Sequence, residues 1–198
     1  MESTEKTRDD RRNAGNHRGR RPPDWIVVPA GNLGNTSAFG KALEEAQNLG
    51  LITDLPKLVS VQAQGARPFV NFMKTKEFVP ETKPNTVATA IKIGNPVSYL
   101  KAKRALDLTH GMAVSVSDQE ILDAKAIIDS SGIGCEPASA STVAAIKNLV
   151  DDGTILPSED IIAILTGNLL KDPQITIDYH KGNLKQIISN FANKIKSI

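Results

Sequence analysis

The chain has 198 residues, 40% hydrophobic and 23% charged, enough for one domain with a real core, and this excludes a wholly disordered polypeptide. The single cysteine, Cys135, excludes an internal disulfide and fits a reducing, cytoplasmic setting; no apolar run is long enough for a membrane span or a signal core. The net charge of +2 is uneven: residues 1–21 hold seven Lys/Arg against four Asp/Glu, which leaves −1 for the remaining 177.

The leader "MESTEKTRDDRRNAGNHRGRR" has almost nothing to place in a core, so residues 1–22 are expected to form a disordered basic leader, with the folded unit over 23–198. Its interleaved acids and lack of aromatics argue against a nucleic-acid arm. From there strands and helices alternate. "WIVVPA" predicts a short buried strand, and the helix after it sets Phe39, Leu43 and Ala46 on one face and ends at Gly50, a left-handed cap. "KLVSVQA" predicts a second strand. Residues 65–85, with Pro68, Pro80 and Pro84, are expected as an irregular loop across a sheet edge.

"NTVATAIKIGNP" predicts a short helix stopped by Gly94 and Pro96, and "VSYLKAKRALDLTHG" resumes helical spacing. "MAVSVSD" is a third strand, followed by a helix with the capping-box pair Ser117 and Glu120. "EPASASTVAAIKNLVDDG" starts a helix with Pro137 in its first turn. "DIIAILTGN" reads as a nearly continuous apolar strand, as parallel strands covered on both faces do, and "NLKQIISNFANKI" closes with an amphipathic helix. The sum is an α/β fold with a mainly parallel sheet and flanking helices.

Ligands of open parallel sheets gather beyond the carboxyl ends of the strands. Two polar turns take that position here: "GNLGN", Gly31 to Asn35, and "TGN", Thr166 to Asn168. In a parallel sheet both open on one rim. Gly31 and Gly34 allow close backbone approach, the following helix N-terminus presents amides to an anion, and Asn32 and Asn35 add side-chain donors. A plain strand-to-helix turn is the other reading of the first stretch, and a simple turn cap the other reading of Thr166. Neither the dinucleotide glycine pattern nor a Gly-Lys-Ser/Thr loop is present, and "LPKLVSVQAQG" lacks the acidic residue a dinucleotide fold needs.

His17, His110 and His180 have no metal-ligand or triad spacing. Cys135 reads as a small buried residue or a thiol made reactive by a helix start, and Glu136 as a carboxylate favoured at a helix N-terminus or an active-site group.

Six stretches, "VPAGNLGNTSAFGKA", "LITDLPKLVSVQAQGARP", "TVATAIKIGNPVS", "SDQEILDAKAI", "GIGCEPASASTVAAIK" and "ILTGNLLKDP", together resemble in this order the second half of the threonine synthases. These are pyridoxal-phosphate enzymes of the tryptophan-synthase-β type (fold type II), and the resemblance runs from about Pro23 to about Pro173. It implies the later part of that fold's large domain. It implies that Gly31, Asn32, Leu33, Gly34 and Asn35 cradle the phosphate of pyridoxal 5'-phosphate, and that Thr166 hydrogen-bonds the pyridine nitrogen. A neutral hydroxyl there implies a ring not held as a full pyridinium, suited to elimination chemistry. The implied reaction converts O-phospho-L-homoserine and water into L-threonine and phosphate.

The sequence departs from the family ahead of Pro23, where the charged leader stands. The Schiff-base lysine lies in a segment of the type "SFKDRG", and none occurs here, so no catalytic lysine is nominated. The expectation is a C-terminal portion of the enzyme, inactive alone, that forms homo-oligomers or pairs with a chain carrying the other half. A non-catalytic module that binds a phosphate ligand or docks on a partner is the alternative; neither nucleic acid nor membrane is an expected partner.

Overall fold

The computed structural model describes residues 21–182. The leader up to residue 20 and the closing helix expected over "NLKQIISNFANKI" lie outside the described residues. The described chain forms strands β1 (Trp25–Pro29), β2 (Lys57–Ala63), β3 (Met112–Val116) and β4 (Ile161–Ala163), with helices α1 (Gly34–Asn48), α2 (Pro68–Thr75), α3 (Tyr99–Leu108), α4 (Asp118–Ser130) and α5 (Pro137–Asp151). The four strands make one sheet in the order β3-β2-β1-β4, and every pairing is parallel.

Strand alternation divides the core in two. Trp25, Val27, Val59, Val61 and Ala63 pack with Ile121, Ala124, Ala144 and Leu149, so α4 and α5 cover one face. Ile26, Val28 and Leu58 pack with Phe69, Phe72, Ala105 and Leu106, with Phe39 and Leu43 against them, so α1, α2 and α3 cover the other. All five residues of β1 are buried, as a central parallel strand requires. Strand β4 departs from the expectation of a strand covered on both faces. It holds three residues on the sheet edge, with Ile162 exposed.

Local signals hold where the sequence carries them. Gly50 sits at φ +67° just past α1, and Ser117 and Glu120 form the reciprocal capping box of α4. Two stretches differ from expectation. Inside 65–85, read as irregular, lies α2; its N-terminus is capped from a distance, by Gln62 Oε1 of β2 accepting from the amides of Phe69 and Val70 at 3.0 Å each. Arg67, the residue preceding the helix, provides no side-chain cap, so nothing local announces it. The helix expected in "NTVATAIKIGNP" is reduced to a single 3-10 turn, Thr89–Ile91. Asp118 holds the approach to that turn by accepting from Thr86 Oγ1 at 2.5 Å and from the Val87 amide at 3.1 Å.

Helices α1 and α3 touch through Gly40, where an added Cβ would stand 2.2 Å from Ala105 Cβ. Gly40→Val should therefore cost about 3 kcal/mol by overpacking, read as a lower urea midpoint at unchanged slope. A loss of only a few tenths would mean that the helices do not meet there.

The Ser117 hydroxyl and amide hold the Glu120 carboxyl below its ordinary range. A lowered folded value stabilises above the unfolded one, and the contribution disappears as pH falls through the folded value. Glu120→Gln should lower the urea midpoint at neutral pH, and the gap should narrow as pH falls below the ordinary glutamate range; a gap constant with pH would contradict this.

Candidate functional site

At the carboxyl ends of β1 and β4 lies a cavity of about 340 Å³. Its lining includes Gly31, Asn32, Leu33, Gly34 and Asn35 from the turn after β1, and Thr166 from the turn after β4. The structure thus brings all six sequence-nominated residues together. Ala90, Ile91 and Ile93 from the 3-10 turn and its exit form another wall, and Glu136, Ala138 and Lys171 complete the Thr166 side. Sequence reasoning missed the first group because its placement depends on Asp118, far along the chain. Glu136 had a visible signal, a carboxylate at a helix start, but Lys171 had none.

The turn after β1 is shaped by its backbone. Leu33 is buried at φ +65°, a left-handed conformation that costs a non-glycine residue about 1–2 kcal/mol. Strain of that kind concentrates at ligand-binding turns. An added Cβ at Gly31 would lie 2.7 Å from the Ala90 carbonyl oxygen, so only glycine lets the wall approach the turn. No side chain caps α1, and Gly34 has open space around it. An uncapped helix N-terminus beside open space is where an anion is favoured. The Asn32 side chain accepts from the Val97 amide at 2.9 Å, which fixes it and leaves its amide nitrogen as a donor.

The opposite side is built from side chains. Glu136, at 2% exposure, precedes α5, and Ser139 is fully buried in its first turn. Ser139 Oγ accepts from the amides of Thr166 and Gly167 at 2.9 and 3.0 Å, which fastens the turn after β4 to α5. Glu136 Oε1 accepts from Thr166 Oγ1 at 3.3 Å, and Glu136 Oε2 meets Lys171 Nζ at 2.6 Å in an ion pair. Gly167 must be glycine for this arrangement, because an added Cβ would lie 2.2 Å from Glu136 Oε1.

The remaining candidates lie elsewhere. His110 and His180 are exposed and absent from the cavity, and His17 is outside the described residues. Among the described residues no cluster of His, Cys, Asp and Glu has the makings of a metal site, and no helix is long and apolar enough to cross a membrane. Burial pushes the Cys135 thiol up to about 11, outweighing the nearby Lys125 ammonium, so the reactive-thiol reading does not fit.

A cavity joining a strand-to-helix turn to a hydroxyl across the rim of a parallel sheet defines the class: an α/β protein with a ligand site at the carboxyl ends of its strands. The family described as "Pyridoxal-phosphate dependent enzyme" matches residues 15–167, and the chain belongs to it. The chain is 48% identical over 159 residues to threonine synthase of Methanosarcina acetivorans, covering 79% of this chain and 39% of that protein. Against threonine synthase of Methanocaldococcus jannaschii it is 44% identical over 158 residues, covering 78% of this chain and 39% of that one. It thus spans about two fifths of the length of these relatives.

Among solved structures, a fungal L-serine ammonia-lyase from Rhizomucor miehei superposes with a TM-score of 0.67 at 24% identity, over 81% of this chain and 50% of that one. Threonine synthase from Escherichia coli gives 0.62 at 17%, over 82% and 36%. Both show the fold. The family's cofactor is pyridoxal phosphate. An uncapped helix end, a close-approach glycine and a hydroxyl across the cavity are a donor set that suits a phosphorylated pyridine.

Cys135 should react with a thiol reagent at about pH 8 roughly a hundredfold more slowly in the folded protein than in urea, as its thiolate fraction dictates. Equal rates would show that the thiol is neither buried nor raised.

Proposed function

We propose that this chain forms the phosphate- and ring-nitrogen-holding side of a threonine synthase site, working on O-phospho-L-homoserine and water to give L-threonine and phosphate. The observation that carries the reading is the convergence of Gly31–Asn35 and Thr166 on one cavity of about 340 Å³. Likeness to threonine synthases along most of the chain supports the substrate.

In this reading, bound pyridoxal phosphate supplies a ring that withdraws electrons from the substrate carbon bearing the amino group. The backbone at Gly31, Leu33 and Gly34 binds the phosphate, with Asn32 and Asn35 adding donors. Thr166 holds the ring nitrogen and so fixes the ring's orientation. Ala90, Ile91 and Ile93 give the cavity an apolar wall that limits water.

Lys171 is the one lysine among the described residues that lines this cavity, and its ammonium is held by Glu136. No free amine therefore faces the ligand from the described residues, and the chain alone is proposed to bind without turning over. The lysine comes from another segment or chain. The two sheet edges, β3 and β4, are where further strands would pair. A complementary chain carrying the "SFKDRG"-type segment fits them, and this same feature favours the second reading, a module that docks on a partner.

The purified chain should bind pyridoxine 5'-phosphate, which needs no amine, by calorimetry. Gly31→Ala, which pushes a methyl group at the Ala90 carbonyl, should weaken binding about tenfold or more, as a displaced cradle would. With pyridoxal phosphate and O-phospho-L-homoserine the chain should release no phosphate. Absence of binding would sink the cradle; turnover with a borohydride-trapped lysine adduct would sink the claim of inactivity.

A further inference from the structure

Helices α1 and α3 lie side by side and run in the same direction. Near their starts the Ser37 hydroxyl comes within 3.5 Å of the Ser98 carbonyl, and further along Gly40 meets Ala105 and Glu44 meets Arg104. A cleft of about 560 Å³ lies between them, and Gly34 is the one lining residue it shares with the cavity at the strand ends. That volume suits a metabolite-sized ligand. Lys41, Lys101 and Arg104 line the cleft against a single carboxylate, Glu44, which leaves two positive charges in excess.

The excess charge is poorly matched within the fold. Lys101 joins no ion pair among the described residues. Lys41 reaches only Glu45, at 3.5 Å between two exposed side chains, a contact that contributes little. Arg104 bonds both oxygens of Glu44 through Nη2 alone, at 2.8 and 3.2 Å, so Nη1 and Nε keep their donors for a second anion. The first amides of both helices have no side-chain cap, and Ser98, which precedes α3, makes no capping bond. The rest of the lining includes apolar Ala38 and Leu108. We infer that this cleft is a second ligand site, separate from the cavity at the strand ends, for a small organic phosphate. The phosphate group, close to a dianion at neutral pH, matches the two excess charges at Lys101, Arg104 and the start of α3. The carbon chain lies on Ala38 and Leu108. A carboxylate would answer only one of the charges. The inference does not rest on the proposed function.

The test uses the whole ¹⁵N-labelled chain and reads the backbone amides of Leu100 and Lys101, which do not line the other cavity. Propyl phosphate, inorganic phosphate and sodium chloride are titrated at matched ionic strength. Propyl phosphate should give saturating shifts in the millimolar range, several-fold tighter than inorganic phosphate, and chloride should give none that saturate. Replacing Lys101 and Arg104 together by Gln alters exposed side chains and should weaken propyl phosphate binding about tenfold or more. Should that double variant lose its folded spectrum, Lys101→Gln alone decides, with a several-fold loss expected. Equal shifts with chloride, equal affinity for the two phosphates, or unchanged affinity in the variants overturns the inference. Gly31→Ala should leave these shifts as they are; a matching loss there would put the probe in the cavity at the strand ends and overturn the inference too. Saturation at α3 in a chain that fails to bind pyridoxine 5'-phosphate would uphold this site and sink the proposed one.

Discussion

The parallel hydrogen bonding of β1 to both β2 and β4 is the constraint on which the site depends. Because the neighbours run in one direction, the turns that follow β1 and β4 leave the sheet on the same rim. Burial of all five residues of β1 makes that geometry hard to shift, since a slip in register would move side chains between the two core layers. The strand is short, yet it sets the origin of α1, and through Ile164, whose amide donates to the Val27 carbonyl at 2.9 Å, it steers the chain toward Thr166.

What could be read from the sequence follows the range of the interaction. Strand β1, the glycine after α1 and the Ser117–Glu120 pair are written within a few residues, so periodicity and capping find them. Helix α2 depends on Gln62 reaching its first amides from the middle of a buried strand, and a glutamine in an apolar run carries no sign of that duty. The apolar wall at Ala90 and Ile91 depends likewise on Asp118, about thirty positions on, gripping Thr86 and Val87. The six candidate residues could be named because they sit in two short turns; the groups behind them could not, since Ser139 and Lys171 matter only through the contact of α5 with the turn after β4.

The two ends of the cavity differ in construction. The turn after β1 relies on backbone, on the close approach at Gly31 and the left-handed Leu33, and is held by the sheet and by Asn32 gripping the Val97 amide. The Thr166 end relies on side chains of α5 and is held by Ser139. The two meet at the 3-10 turn, which walls Gly31 and whose Thr89 hydroxyl donates to Asp172 Oδ2 at 2.9 Å, so a shift at one end can reach the other. A chain spanning about two fifths of its threonine synthase relatives can hold both, because each needs only one strand end and the helix packed beside it. On the proposed reading, chemistry on the substrate has no such local basis: it needs an amine positioned against both ends at once, and the one lysine among the described residues that lines the cavity is already paired with Glu136.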